Sequence, residues 1–207
     1  MRLRLYQLEN SPNSMKARIA LGYKGLPYDR FEVNAQDRVE IVRLSGQPLT
    51  PVLVHDDTVI FDSAAILRYL EANFRAAPPL FAAERQEQKR IEEWERFGRD
   101  ELYRPIGELF AQARAAQPDP AACARASDDL QRLSERIEAR LAEADWLVAD
   151  RLTAADVTCA PLIAFALFSA DAAARSTVAR FFRERLQLGD ERPRTREWAA
   201  RVITFDR

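Results

Sequence analysis

The sequence predicts a small α/β domain followed by an all-helical one, and three observations carry that expectation. Over residues 1–75, short apolar or β-branched runs alternate with helix patterns in the order βαβαββα. The third and fourth strands form a hairpin opened by Pro51, and this hairpin runs directly into a helix start at Asp62-Ser63. After Ala76-Ala77-Pro78-Pro79 the strand pattern stops and the composition shifts to Ala, Arg, Glu and Leu. The expected organisation is an α/β domain over 1–75, a linker over 76–83 and a helical domain over 84–207.

Leu3, Leu5 and Tyr6 give the first strand, ended by the polar loop Glu9-Asn10-Ser11-Pro12-Asn13-Ser14. Ala17, Ile19, Ala20 and Leu21 follow as a helix that Gly25 and Pro27 must end. Tyr28–Val33 reads as the second strand and Asp37–Leu44 as a short helix. Val52–Val54 and Thr58–Ile60 flank His55-Asp56-Asp57, a polar turn that places the single histidine in solvent. Proline lacks a ladder donor, so Pro51 suits the first position of a strand, and an X-Pro bond is where a cis peptide is cheap. Ala64, Ala65, Ile66, Leu67, Tyr69 and Leu70 then supply a helix with one apolar face.

In the second half, Ile91, Trp94, Phe97, Leu102, Ile106, Leu109 and Phe110 predict a long helix that Pro105 kinks or interrupts. Gln117-Pro118-Asp119-Pro120 is a turn. Leu130, Leu133, Ile137 and Leu141 recur at steps of three and four, an amphipathic helix. A loop over Glu143–Arg151 precedes Thr153-Ala154-Ala155-Asp156, where an acidic residue stands three after the cap as in a capping box. Its helix, Val157–Phe168, is apolar nearly all round and belongs at the centre of its domain. Helical segments near Ser176–Leu188 and Pro193–Val202 end the chain.

A net charge of −1 excludes a protein that holds nucleic acid or a membrane surface by bulk electrostatics. Cys123 and Cys159 lie far apart with no C-x-x-C pair, which suits a reducing compartment without a structural disulfide. No apolar run long enough for a membrane span occurs, so the expected location is cytoplasmic. With the only histidine, His55, in the hairpin turn, the sequence does not suggest a Ser-His-Asp triad, and no cluster has metal-ligand spacing.

The proline-led strand, hairpin and serine-capped helix resemble the second half of a thioredoxin fold. Thr50-Pro51-Val52, then Asp62-Ser63, then Ala65-Ile66-x-x-Tyr69-Leu70 resemble the N-terminal domain of glutathione S-transferases. Leu152-Thr153-x-x-Asp156 ahead of a helix containing Pro161 resembles the capping box of that family's helical domain. The resemblance implies a thioredoxin-like domain that binds reduced glutathione as co-substrate, followed by the all-helical C-terminal domain.

It also implies roles for individual residues. Asp62 and Ser63 would hold the γ-glutamyl ammonium and carboxylate, with Asp62 one methylene shorter than the Glu more usual there. Thr50, before a cis Pro51, would pair with the cysteinyl backbone. Leu49 stands where many members have a basic or amide residue for the glycyl carboxylate, and Gln47 is the nearest substitute. The loop Ser11-Pro12-Asn13-Ser14-x-Lys16 is most similar to that of nu-class and Ure2-like members, with Ser14 in place of a glycine. In that comparison Ser11 and Asn13 face the glutathione sulfur; as plain sequence, either is also a good helix cap. Tyr103, Arg104 and Phe110 are candidates for lining the pocket of an electrophilic or disulfide co-substrate.

Two functions follow from this resemblance. One is a glutathione transferase, with disulfide reduction among its activities. The other is a non-catalytic binding or regulatory protein of the same fold, as in stringent-starvation proteins; Leu49 favours it. A homodimer is expected in either case, because Trp94, Phe97, Leu102 and Phe110 read as more apolar surface than one domain contact consumes.

Overall fold

The structure is a computed structural model and describes residues 2–207. The chain divides into two compact units: residues 1–81 with 204–207, and residues 82–203. Unit 1 contains β1 (Leu3–Gln7), α1 (Pro12–Tyr23), β2 (Asp29–Glu32), α2 (Val39–Ser45), β3 (Val52–His55), β4 (Thr58–Phe61) and α3 (Ser63–Asn73). The strands lie in the order β2-β1-β3-β4, with β1 parallel to β2 and both other pairings antiparallel. This is the thioredoxin-like βαβαββα arrangement that the sequence predicts.

Side-chain alternation on the strands explains the layering. Tyr6, Val52 and Val54 bury one sheet face against Ile41 of α2, with Val33, Leu44 and Val59 around them. Leu5 and Leu53, paired one position on, are fully buried on the opposite face. α1 is buried almost all round through Ala17, Ile19, Ala20 and Leu21, and it packs with α3. Gly22 on α1 is required by close approach: a Cβ there would meet the Phe205 carbonyl oxygen at 2.0 Å. Residues 204–207 thus lie against α1 as part of unit 1, a placement with no signal in local sequence pattern.

Unit 2 contains α4 (Arg85–Phe97), α5 (Tyr103–Arg114), α6 (Pro120–Leu141), α7 (Ala154–Ala164), α8 (Ala170–Arg175), α9 (Thr177–Arg185) and α10 (Pro193–Ile203). α7 is its centre, buried from Ala154 to Ile163. The capping box forms: Thr153 and Asp156 satisfy each other's backbone donors.

Several expectations need correction. The long helix is interrupted by a π-helical segment, Gly98–Leu102, rather than at Pro105, which lies inside the first turn of α5. A proline ring clashes with the carbonyl four residues back. Here that carbonyl belongs to Glu101, and the wider π turn accommodates it. Gly98 allows the segment to approach α7, since a Cβ would lie 2.8 Å from Thr158 Cγ2. The chain end holds three helices instead of two, because Ser169 and Ser176 each cap a new start.

The apolar surplus on the long helix is also absent. Trp94, Phe97 and Leu102 are buried within the chain, and Phe110 packs edge-on against Phe165 and Phe182 at 5.2 and 4.9 Å. His55 is not a solvated turn residue either. It ends β3, and its Nδ1 lies 2.9 Å from the Tyr69 hydroxyl of α3.

Candidate functional site

Strand register brings the separate sequence motifs of unit 1 together. Tyr6 pairs with Val52, and Val52 pairs with Phe61. The residues after β1, before β3 and after β4 therefore emerge at one end of the sheet, on three adjacent strands about 4.8 Å apart. These residues are the Leu8–Ser14 loop, Thr50-Pro51 and Asp62-Ser63.

Ser11 is the N-cap of α1 in extended conformation, followed by Pro12, whose fixed φ suits the first turn. Its Oγ accepts the Ser14 N–H at 3.3 Å, which leaves the hydroxyl proton for another acceptor. Both readings of this serine, cap and donor, are therefore compatible. Asn13 is half-buried on the first turn, and its amide bonds to nothing among the described residues. Ser14 is fully buried and its Oγ accepts the Leu8 N–H at 3.3 Å, tying the start of the loop to its end.

The Thr50-Pro51 peptide is cis. Thr50's backbone groups make no hydrogen bond among the described residues. Gln47 turns inward on its own loop: its Nε2 donates to Ser45 Oγ (2.8 Å) and the Leu49 carbonyl (3.1 Å), and its Oε1 accepts the Leu49 N–H (2.6 Å). That clamp leaves the Leu49 side chain 72% exposed.

Asp62 is the N-cap of α3 at φ 70° and ψ 125°, a backbone conformation that costs a residue with a Cβ about 1–3 kcal/mol. Its Oδ1 accepts both the Ala64 and Ala65 N–H groups, at 2.9 and 3.0 Å. Oδ2 and the nearly buried Ser63 hydroxyl have no partner among the described residues. The helix start thus offers a carboxylate oxygen, a hydroxyl and the positive end of a helix dipole side by side, a match for a ligand bearing both an ammonium and a carboxylate. The strained φ at Asp62 is the one feature of this end that a dipeptide cannot announce.

In unit 2, Tyr103 and Arg104 line an open groove between α5 and α6 with Pro105, Gly107 and Ala126. Phe110 lies apart from them, in the aromatic cluster with Phe165 and Phe182. Among the described residues no three His, Cys, Asp or Glu side chains are grouped to hold a metal ion. No described helix is long and apolar enough to cross a membrane.

Residues 5–79 match the family model for the glutathione S-transferase N-terminal domain. The chain is also 31% identical over 170 residues to FtsZ-localized protein A of Caulobacter vibrioides, spanning 75% of this chain and 73% of that protein. The chain belongs to the glutathione S-transferase family. It is 28% identical over 109 residues to glutathione S-transferase U10 of Arabidopsis thaliana, which covers 52% of this chain and about half (47%) of that relative. Its fold is that of the solved glutathione transferase URE2P8 from Phanerochaete chrysosporium with oxidized glutathione, at a TM-score of 0.78 and 20% identity over 98% of this chain and 89% of that one. As a glutathione S-transferase family member with Ure2-like structural relatives, the chain has its thioredoxin-like half where the family model matches.

Proposed function

We propose that the protein binds reduced glutathione in unit 1, lowers the pKa of its thiol, and passes the sulfur to a small electrophile or uses it to reduce a disulfide. The observation that carries this reading is the register Tyr6–Val52–Phe61, which sets Ser11-x-Asn13, Thr50-Pro51 and Asp62-Ser63 at one sheet end. Asp62 Oδ2 and Ser63 take the γ-glutamyl ammonium and carboxylate, Thr50 pairs with the cysteinyl backbone, and Ser11 and Asn13 donate to the sulfur. A solved relative with oxidized glutathione supports the ligand class.

The magnitudes suffice without a general base. Taking a thiol from pKa ~8.5 to a mostly ionised state at neutrality requires ~2 units, or ~3 kcal/mol. One hydrogen bond to an anion contributes ~1.5–3 kcal/mol, so Ser11, Asn13 and the start of α1 together reach that figure. The loop's likeness to nu-class members makes glutathione-dependent disulfide reduction the first activity to assay. Tyr103 and Arg104, which share a groove, are the side chains we assign to the second substrate; Phe110 lies apart from them with Phe165 and Phe182. Gln47 would read the glycyl carboxylate only by giving up its clamp on Leu49.

A second reading, a non-catalytic binding or regulatory protein, is favoured by that same clamp. Exposed Leu49 stands where many family members have a basic or amide residue for the glycyl end. A relative named for localisation to FtsZ points the same way. Calorimetric titration with glutathione, followed by disulfide and aryl halide panels, separates the two. Micromolar to millimolar binding with turnover supports the enzyme, and binding without turnover or no binding supports the regulator. On either reading we infer a cytoplasmic homodimer, now resting on exposed Phe61 and Leu49 of unit 1 rather than on the long helix. Light scattering should then give about 47 kDa, twice the 23.6 kDa chain.

A further inference from the structure

A buried polar network beside the Ser11 loop has no part in the chemistry above. Arg18 of α1 has a side chain only 4% exposed. Its Nε and Nη2 donate to the Asp206 carboxylate at 2.5 and 2.8 Å, the side-on fork geometry that suits a planar pair. Nη1 donates to Gln7 Oε1 at 2.6 Å, and Nη2 also reaches the Glu9 carbonyl at 3.3 Å. Gln7 Nε2 in turn donates to Glu32 Oε2 at 3.1 Å, and Glu32 Oε1 accepts the Glu9 N–H at 2.7 Å. Glu9, two residues ahead of Ser11, is thus held at both its N–H and its C=O.

We propose that Asp206 is a positioning residue for the Ser11–Asn13 loop: by anchoring Arg18 it fixes the Glu9 backbone, and so fixes where the Ser11 hydroxyl points. The consequence for thiol activation rests on the glutathione reading above. Among the described residues Asp206 is the carboxylate paired with Arg18. A buried guanidinium deprived of it loses its anionic partner, and Nη2, which also holds the Glu9 carbonyl, is one of the two nitrogens left without the carboxylate. The tail itself is fixed independently of this network. Phe205 sits over Gly22 and edge-on to Tyr23 at 5.3 Å, and the Tyr28 hydroxyl donates to the Arg207 carbonyl. Neutralising Asp206 therefore changes the network without releasing residues 204–207.

Amide hydrogen exchange on the ligand-free full chain tests the coupling. Asp206→Asn should speed exchange in the peptide covering Leu8–Ser14 by about fivefold or more. The double variant Arg18→Gln/Asp206→Asn carries no unpaired buried charge, so it folds even where the single variant does not. It too should loosen the loop, because Gln is too short to reach the Glu9 carbonyl. Tyr28→Phe removes a contact to the same tail outside the network and should leave the loop at its wild-type rate. Unchanged loop exchange in the double variant, or equal loosening by Tyr28→Phe, would overturn the proposal. In a second arm, the thiolate absorbance of bound glutathione is followed against pH. Asp206→Asn should raise the midpoint by about half a unit or more while glutathione affinity changes less than about twofold, because Asp62 and Ser63 are untouched. Failure of the wild type to bind glutathione defeats the functional reading alone, and the exchange arm still decides whether Asp206 holds the loop.

Discussion

Asp156 Oδ1 accepts the Trp198 indole N–H at 2.9 Å, with Asp156 fully buried and Trp198 only 1% exposed. The same oxygen accepts the Leu147 N–H at 3.0 Å, and Oδ2 accepts the Thr153 N–H and hydroxyl at 2.9 and 3.0 Å. One carboxylate therefore joins the Leu147 loop, the start of α7 and the middle of α10. Asp156→Asn should destabilise the chain by about 1–3 kcal/mol, because an amide NH2 would face the Thr153 N–H and strand a buried donor. Burial, working against these four bonds, raises the Asp156 pKa. A raised carboxyl pKa gives stability that is whole below the unfolded value and lost as pH rises through the folded one. The gap between wild type and Asp156→Asn should accordingly be wider in mild acid than at neutrality. Denaturant titrations at both conditions decide it, and a gap under about 0.5 kcal/mol in both would remove Asp156 from this role.

Glu138 has the opposite pH sign. Burial alone would raise its pKa, but bonds from the Thr195 hydroxyl and the Thr195 and Arg194 N–H groups together hold it below the ordinary value. The Glu138 side chain, from α6, thereby caps the first turn of α10. Its contribution is present above the unfolded pKa and disappears as pH falls through the depressed folded one. Glu138→Gln should cost about 1–3 kcal/mol at neutrality, and the difference from wild type should close in acid. A pH-independent difference between the two proteins would show that charge at this cap is immaterial.

These two carboxylates show what the sequence makes legible and what it does not. The partnership of Asp156 with Thr153 lies within four residues, so spacing reveals it. Its bond to Leu147 needs the preceding loop to fold back on the start of α7, and its bond to Trp198 needs α10 to return across α7; no local pattern encodes either. The same limit applies in unit 1. Asp62-Ser63, Thr50-Pro51 and Ser11-Pro12-Asn13 were readable because each is a local cap, turn or strand start. The positive φ of Asp62 and the Gln47 clamp on Leu49 are local but follow from loop conformations that no residue pattern specifies, and the Arg18–Asp206 pair joins residues far apart in the chain. Gly98 likewise reads as an ordinary helix residue until the close approach of Thr158 shows why no side chain fits there.

At the helix start, Ser63→Ala should weaken glutathione binding by about 1–3 kcal/mol, since a ligand carboxylate loses a hydroxyl donor in a nearly buried position. The fold should hardly notice, because α3 is capped by Asp62 through the Ala64 and Ala65 N–H groups and not by Ser63. Calorimetry together with a melting curve separates these effects. Equal affinity in the two proteins would sink the assignment of Ser63 to the γ-glutamyl end.

The loop between β1 and α1 sets the most demanding test, since Ser11 has two possible roles with different signatures. As a cap it accepts the Ser14 N–H at 3.3 Å, a long bond whose removal should cost no more than about 1 kcal/mol of stability. As a thiolate donor it contributes a charge-assisted bond, and its removal should raise the bound thiol's midpoint by about one unit or more. Ser11→Gly keeps a residue tolerated at an N-cap while removing the hydroxyl, so it should cost little stability and still raise the bound thiol's midpoint. Asn13→Ala removes a side-chain amide with no partner in the chain; it should leave the melting point nearly unchanged and still shift the thiolate curve upward. If the absorbance midpoint stays fixed in both Ser11→Gly and Asn13→Ala while glutathione still binds, the loop acts only as the start of a helix. The thiol would then have to be activated by some group other than these two.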